Sequence, residues 1–105
     1  MIFITGPLYS GKRTFANALP GTRIAEVQNL AKDADDLEKL ADKLAAYDIV
    51  IATEVGGGVV PVDAGERAAR EAAGRLACLL ASRAQCVVQM FCGIPTVLKG
   101  ELSQC

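Results

Sequence analysis

The sequence predicts an α/β fold in which helices cover both faces of a small, mainly parallel sheet. Short apolar runs have the length of buried strands, and segments with helical periodicity separate them. Strands that are apolar on both faces are typical of parallel sheets joined by right-handed helical crossovers. Apolar residues make up 51% of the 105 residues, and without Trp the core must use Val, Ile, Leu and Ala. We expect one domain over residues 1–105.

Each element is expected from its apolar spacing and from the residues that end helices. Strands are predicted over residues 1–5, 22–27, 49–52 and 86–91. Helices are predicted over 12–19, 30–46 and 63–82, the first of them ended by Pro20-Gly21. Asp63 and Glu66 have the spacing of a capping box for the last helix. After residue 91 we expect a turn at 93–95 and a polar tail.

Charge and hydropathy narrow the class of partner. The net charge is −1 and the basic residues do not form a run, so the chain lacks the electrostatic pattern of a nucleic-acid binder. No apolar run reaches the roughly 18 residues of a membrane span, and we expect no membrane insertion. The chain also begins in a strand without a charged leader, which favours a cytoplasmic protein. A small-molecule partner is therefore expected.

The four cysteines have no spacing typical of a metal or disulfide motif. They are Cys78, Cys86, Cys92 and Cys105, and the chain contains no histidine to complete a metal site. We therefore assign no metal ligand and expect reduced, mostly buried thiols.

The segment GPLYSGKRT, directly after the first strand, has the composition of a phosphate-binding loop. Its glycines permit positive φ, which turns backbone N–H groups towards a phosphate, and its lysine adds a point charge. A structural glycine turn is the alternative. The candidate nucleotide-binding residues are Gly6, Pro7, Leu8, Tyr9, Ser10, Gly11, Lys12, Arg13 and Thr14. This loop predicts a three-layer fold similar to that of the P-loop NTPases.

Arg13 departs from the pattern G-x-x-x-x-G-K-[ST], in which a hydroxyl follows the lysine and binds magnesium. Without that hydroxyl, magnesium would have to be held by phosphate, water and a distant carboxylate. Thr14, one position later, is the nearest hydroxyl. Arg13 either adds charge at the phosphates or points into solvent.

A second polar segment follows the strand over 49–52, at the edge where parallel sheets bind ligands. There Glu54 either orients a substrate or metal-bound water, or caps local backbone N–H groups. The run 56–58 is either a close approach of backbone to ligand or a mobile glycine turn. Asp48 lies at the opposite end of the strand, so we reject it as a metal ligand. A third polar segment follows the last strand, over 93–99.

Three segments have the spacing of one enzyme family: SGKR at 10–13, TEVGGGVVP at 53–61 and RAAREAAGR at 67–75. They resemble the bacterial adenosylcobinamide kinase/adenosylcobinamide-phosphate guanylyltransferase of cobalamin biosynthesis. That family has S-G-K-S, N-E-V-G-x-G-[IV]-V-P and R-x-x-R-[DE]-x-x-G-R in the same order. The resemblance covers about residues 1–20 and 47–100, and its second block is highly specific.

The resemblance implies GTP or ATP as the nucleotide, a cobinamide as the acceptor, and a homo-oligomer. It assigns catalytic roles to Lys12 and Glu54. The substrate-binding residues that it implies are Thr53, Gly56, Gly57, Gly58, Arg67 and Arg70. From the residues alone, Arg67 and Arg70 either contact phosphate or pair with Glu66 and Glu71. Gly74, within the same helix, is expected to permit close packing.

The chain lacks the histidine that accepts the guanylyl group in that family, whose members are longer. It contains no histidine at all, so transfer through phosphohistidine is excluded. Our hypothesis is a kinase that transfers a γ-phosphoryl group to a cobinamide hydroxyl. The alternative is a catalytically degenerate nucleotide- or phosphate-binding accessory protein of the corrinoid pathway.

Overall fold

The computed structural model describes residues 1–7, 10–54 and 64–100, and the strands in these ranges form one five-stranded sheet. The strands are β1 (Ile2–Gly6), β2 (Arg23–Ile24), β3 (Ile49–Thr53), β4 (Cys86–Phe91) and β5 (Ile94–Lys99). The helices are α1 (Lys12–Asn17), α2 (Gln28–Ala31), α3 (Leu37–Leu44) and α4 (Ala64–Arg83). The predicted α/β class is confirmed.

The strand order is β2-β3-β1-β4-β5, which places the first strand at the centre of the sheet. β1 pairs in parallel with β3, where Ile2 is opposite Ile49, and with β4, where Ile2 is opposite Cys86. β2 also runs parallel to β3, whereas β5 is antiparallel to β4. The carboxyl ends of β1, β2, β3 and β4 therefore meet at one edge.

Two buried clusters show that helices cover both faces of the sheet. Because successive strand residues point to opposite faces, Phe3 and Val50 pack in one cluster, and Ile2 and Ile4 pack in the other. The first cluster also contains residues of α2, α3 and α4, whereas α1 contributes Ala16 to the second. Helices therefore pack on both faces of the sheet, as expected.

The single helix predicted over 30–46 is wrong, because two helices occupy this segment. α2 ends at Ala31 and α3 begins at Leu37. Between them Asp36 has extended backbone, and its carboxylate accepts hydrogen bonds from the N–H groups of Glu38 at 3.0 Å and Lys39 at 3.3 Å. An aspartate caps a helix more favourably than it continues one, which explains the break.

The polar tail expected after residue 91 is also wrong, because residues Ile94–Lys99 form β5. Cys92 and Gly93 connect the two strands with φ values of 51° and 77°. Positive φ at both central residues is typical of a tight hairpin turn whose twist matches that of the strands. The sheet therefore has an antiparallel edge, which the periodicity did not predict.

Several smaller expectations also change. β2 is shorter than the predicted strand over 22–27. Cys78 and Cys92 are exposed, so the expected burial holds for Cys86 but not for these two free thiols. A Cβ added to Gly74 meets nothing within 4 Å among the described residues, so close packing does not explain this glycine. Asp63 and Cys105 lie outside the described residues.

Asp48 lies at the opposite edge of the sheet from the predicted ligand-bearing edge. Its carboxylate accepts hydrogen bonds from the Thr22 N–H at 2.9 Å and the Thr22 hydroxyl at 3.2 Å. These contacts agree with a structural role. None of the helices in the described ranges combines the length and the apolar character needed to cross a bilayer.

Candidate functional site

Two glycines fix the loop at the carboxyl end of β1. A Cβ on Gly6 would lie 2.5 Å from the Met90 carbonyl oxygen and 2.7 Å from Ser10 Oγ, so the position accepts no side chain. Gly11 precedes α1 with φ of 89°, a left-handed conformation that glycine adopts without strain. The Gly93 N–H donates a hydrogen bond of 2.9 Å to the Ser10 carbonyl. The β4–β5 turn therefore supports the loop.

Lys12 is almost fully buried, and its ammonium group faces the loop. Nζ donates to the Pro7 carbonyl at 2.7 Å and lies 3.4 Å from Ser10 Oγ. Burial lowers the pKa of Lys12, and the nearby carboxylates of Glu26 and Glu54 partly offset this effect. The ammonium group is therefore a partly desolvated cation in the lining of a cleft at this edge of the sheet.

Arg13 is largely exposed to solvent and contacts one carboxylate at the cleft. Its Nη2 lies 3.5 Å from Oε1 of Glu26, and its side chain is 69% exposed against 30% for Glu26. The arginine therefore places a second positive charge at the cleft beside Lys12.

Glu26 is a central residue of the site that the sequence analysis missed. Its carboxylate accepts hydrogen bonds from the Thr53 hydroxyl at 3.0 and 3.1 Å and from the Gln28 side-chain amide. Gln28 in turn accepts from the Thr53 N–H at 3.0 Å, which closes the network. Desolvation opposes ionisation, but the donors Gln28 and Thr53 and the charges of Arg13 and Lys12 lower the pKa of Glu26 overall.

One signal pointed to Glu26 in the sequence. It follows a parallel strand at the ligand-bearing edge, which is the same argument that selected Glu54. The strand is only two residues long, however, and Glu26 has a φ of 57° that no apolar pattern reveals.

Glu54 follows β3 and is exposed. Its backbone N–H donates to the Gly6 carbonyl at 2.8 Å, which joins the ends of β3 and β1. Its Oε1 accepts a hydrogen bond of 2.7 Å from the side-chain amide of Gln89 on β4. Gln89 is a second residue of this site that the sequence analysis missed, and its amide contacts the Glu54 carboxylate.

Two cavities open beside Thr53 at this edge. We call the first of them the phosphate cleft, and its volume is about 290 Å³. It is lined by Ser10, Gly11, Lys12, Arg13, Thr14, Glu26 and Thr53. The apolar cavity has a volume of about 130 Å³ between the sheet and α4. Its lining includes Val27, Ala73, Leu76 and Leu80, with Thr53 and Glu54 at the polar end.

The predicted residues on α4 lie apart from the phosphate cleft. Arg70 lines a separate groove of about 350 Å³ together with Gln28 and Glu66. Arg67 is exposed one turn earlier, and both arginines make further interactions. Leu8, Tyr9 and residues 56–58 lie outside the described residues.

The described residues do not fit a magnesium site of the usual P-loop kind. Arg13 replaces the hydroxyl ligand, and Glu26, which lines the cleft, already contacts Arg13, Thr53 and Gln28. Among the described residues no three His, Cys, Asp or Glu side chains are grouped closely enough to hold a metal together. A cation at this site would depend on ligands from the nucleotide itself.

The fold and site define an α/β protein with a basic, loop-lined cleft at the carboxyl edge of its sheet. Residues 21–98 match the sequence profile of the cobinamide kinase / cobinamide phosphate guanyltransferase family, and the chain belongs to this family. The match includes residues 21–46, which the resemblance did not cover, and begins after the loop. A search of curated proteins found no match to the chain.

Proposed function

We propose that the chain binds GTP or ATP in the phosphate cleft and transfers the γ-phosphoryl group to a hydroxyl of a cobinamide. The observation that carries the proposal is the convergence of Lys12, Arg13, Ser10 and Thr14 on one cleft beside Glu54. Membership of a family described by cobinamide kinase activity supports the acceptor. We also infer that the fold is similar to that of the P-loop NTPases.

In the proposed reaction the acceptor hydroxyl oxygen attacks the γ-phosphorus, and the bond from that phosphorus to the β-phosphate oxygen breaks. Lys12 and Arg13 stabilise the charge on the transferring phosphoryl and on the departing diphosphate. Glu54, oriented by Gln89, accepts the hydroxyl proton or positions the hydroxyl for attack. The products are the phosphorylated cobinamide and the nucleoside diphosphate.

The proposal excludes guanylyl transfer through phosphohistidine, because the chain contains no histidine. Incubation with GTP should therefore leave the intact mass of the protein unchanged. A covalent adduct of guanylyl mass, detected by mass spectrometry, would contradict this part of the proposal.

Calorimetric titration with GTP and ATP tests nucleotide binding. Lys12→Met keeps the aliphatic stem but removes a desolvated charge, and we expect it to weaken binding about 10–100-fold. Lys39→Ala, an exposed lysine on α3, is the matched control and should bind as the wild type does. Equal binding by wild type and Lys12→Met, or no binding at millimolar nucleotide, would reject the site.

The second candidate function is a nucleotide-binding accessory protein that has lost turnover. The pairing of Arg13 with Glu26 favours it, because Arg13 replaces the hydroxyl that binds magnesium in the P-loop pattern. An assay with cobinamide and labelled nucleotide, in which mass spectrometry detects phosphorylated cobinamide, distinguishes the kinase from the accessory protein. Nucleotide binding without any phosphorylated cobinamide supports the accessory protein.

A further inference from the structure

We propose that Arg13 is a built-in counterion that takes the place of magnesium at the nucleotide phosphates, and that Glu26 holds it there. The inference rests on the proposed function, since it takes the phosphate cleft as the nucleotide site. It predicts that this chain binds nucleotide without a divalent cation.

Glu26 makes several hydrogen bonds within the site, whereas the Arg13 side chain makes a single polar contact among the described residues. Glu26 is anchored by the Thr53 hydroxyl at 3.0 and 3.1 Å and by Gln28, and its side chain is 30% exposed. Arg13 is 69% exposed and reaches Glu26 through Nη2 at 3.5 Å. A guanidinium group carries five N–H donors in a planar fork. The contact with Glu26 uses one nitrogen of the guanidinium group and leaves the other N–H donors available to a phosphate in the cleft.

The charges that line the cleft explain why an arginine is useful at this position. Among the residues that line the cleft, Lys12 and Arg13 contribute two positive charges and Glu26 one negative charge, which leaves a net charge of +1 before the neighbouring Glu54 carboxylate is counted. With serine at position 13 the same lining would be neutral, and the Glu26 carboxylate would repel a polyphosphate. A divalent cation restores attraction in that case, whereas the wild type needs none.

The contacts of Glu26 also disfavour magnesium in the wild type. Magnesium requires near-octahedral oxygen ligands at about 2.0–2.1 Å. The carboxylate already accepts hydrogen bonds from Thr53 and Gln28 and is paired with Arg13. A metal ion at this carboxylate would displace the guanidinium or lie beside a like charge.

Titration of the purified chain with ATP and with inorganic pyrophosphate, in EDTA and in magnesium, tests the inference. For the wild type we expect dissociation constants that differ by less than about 3-fold between the two conditions. Arg13→Ser should bind at least about 10-fold more weakly in EDTA, because one charge-assisted contact is lost. Magnesium should restore this binding through Glu26. In the double variant Arg13→Ser, Glu26→Gln it should restore much less.

Arg75→Ser, which changes an exposed arginine on α4, is the matched control and should behave as wild type in both conditions. Electron paramagnetic resonance of Mn²⁺ with ATP gives a second readout: the ion should be coordinated by a protein carboxylate in Arg13→Ser, whereas in the wild type any bound Mn²⁺ should have ligands from ATP and water alone. Wild-type binding that requires magnesium, or Arg13→Ser binding equal to wild type in EDTA, would overturn the inference while leaving the proposed function intact. Absence of wild-type binding in both conditions would reject the proposed function itself.

Discussion

The phosphate cleft and the apolar cavity share Thr53 but differ in what holds them together. The cleft depends on charged and hydroxyl groups, in which Thr53 and Gln28 fix the Glu26 carboxylate. The cavity is bounded by alkyl side chains between α4 and the sheet, such as Leu76 and Leu80. Hydrogen bonds therefore determine the shape of the phosphate cleft, and side-chain packing determines the shape of the apolar cavity.

This difference suggests a division of the proposed reaction. In the proposed reaction the cleft would provide charge for a polyphosphate, and the cavity, which Glu54 lines, would lie next to the acceptor hydroxyl. A substitution in the phosphate cleft should change nucleotide binding and leave acceptor binding unchanged, and a substitution in the apolar cavity should do the reverse.

The largest stability effect is expected from the network in the cleft. Glu26→Ala leaves the Thr53 hydroxyl and the Gln28 amide without their shared acceptor, and should lower the free energy of unfolding by about 1–3 kcal/mol. Glu54→Ala, at an exposed carboxylate, should change it by less than about 0.5 kcal/mol. Urea denaturation measures both. Equal losses would contradict the different roles of the two carboxylates.

A smaller gain is expected in the wall of the apolar cavity. Gly74→Ala adds a methyl group where no described atom lies within 4 Å, and should raise the free energy of unfolding by about 1 kcal/mol through helix propensity. Ala68→Gly, at an exposed position of α4, should cause a loss of similar size. ATP affinity should remain unchanged in Gly74→Ala. Weaker ATP binding would show that the two cavities are coupled.

The smallest expected effect is the loss of stability at low pH when Glu26 is protonated. Because the folded-state pKa of Glu26 lies below its ordinary value of 4.5, ionised Glu26 stabilises the folded chain above that pH, and the contribution is lost as the pH falls through the folded pKa. The stability difference between wild type and Glu26→Gln should be constant near neutral pH and shrink below about pH 4.5. Urea titrations between pH 7 and 3 measure it. Thr53→Val removes one donor to the Glu26 carboxylate and so reduces the lowering of its pKa. In the Thr53→Val background, the stability difference between chains with and without Glu26→Gln should therefore shrink less at low pH.

The sequence predicted the features that depend on short segments. Glycine spacing located the loop around Gly6 and Gly11, and apolar runs located β1, β3 and β4. Glu26 and Gln89 were missed because their importance arises from contacts with residues 27 and 35 positions away, Thr53 and Glu54. The predicted helix over 30–46 failed because Asp36 caps α3, and apolar periodicity does not register a cap.

The central position of β1 determines when the sheet can form during synthesis. Ile2 pairs with Ile49 on one side and with Cys86 on the other, so both neighbours of β1 are translated long after it. At about 5–20 residues per second, a ribosome needs several seconds to make the intervening chain. During that time the apolar residues of β1 have no sheet partner, so they cannot be buried in the sheet until β3 and β4 have been made.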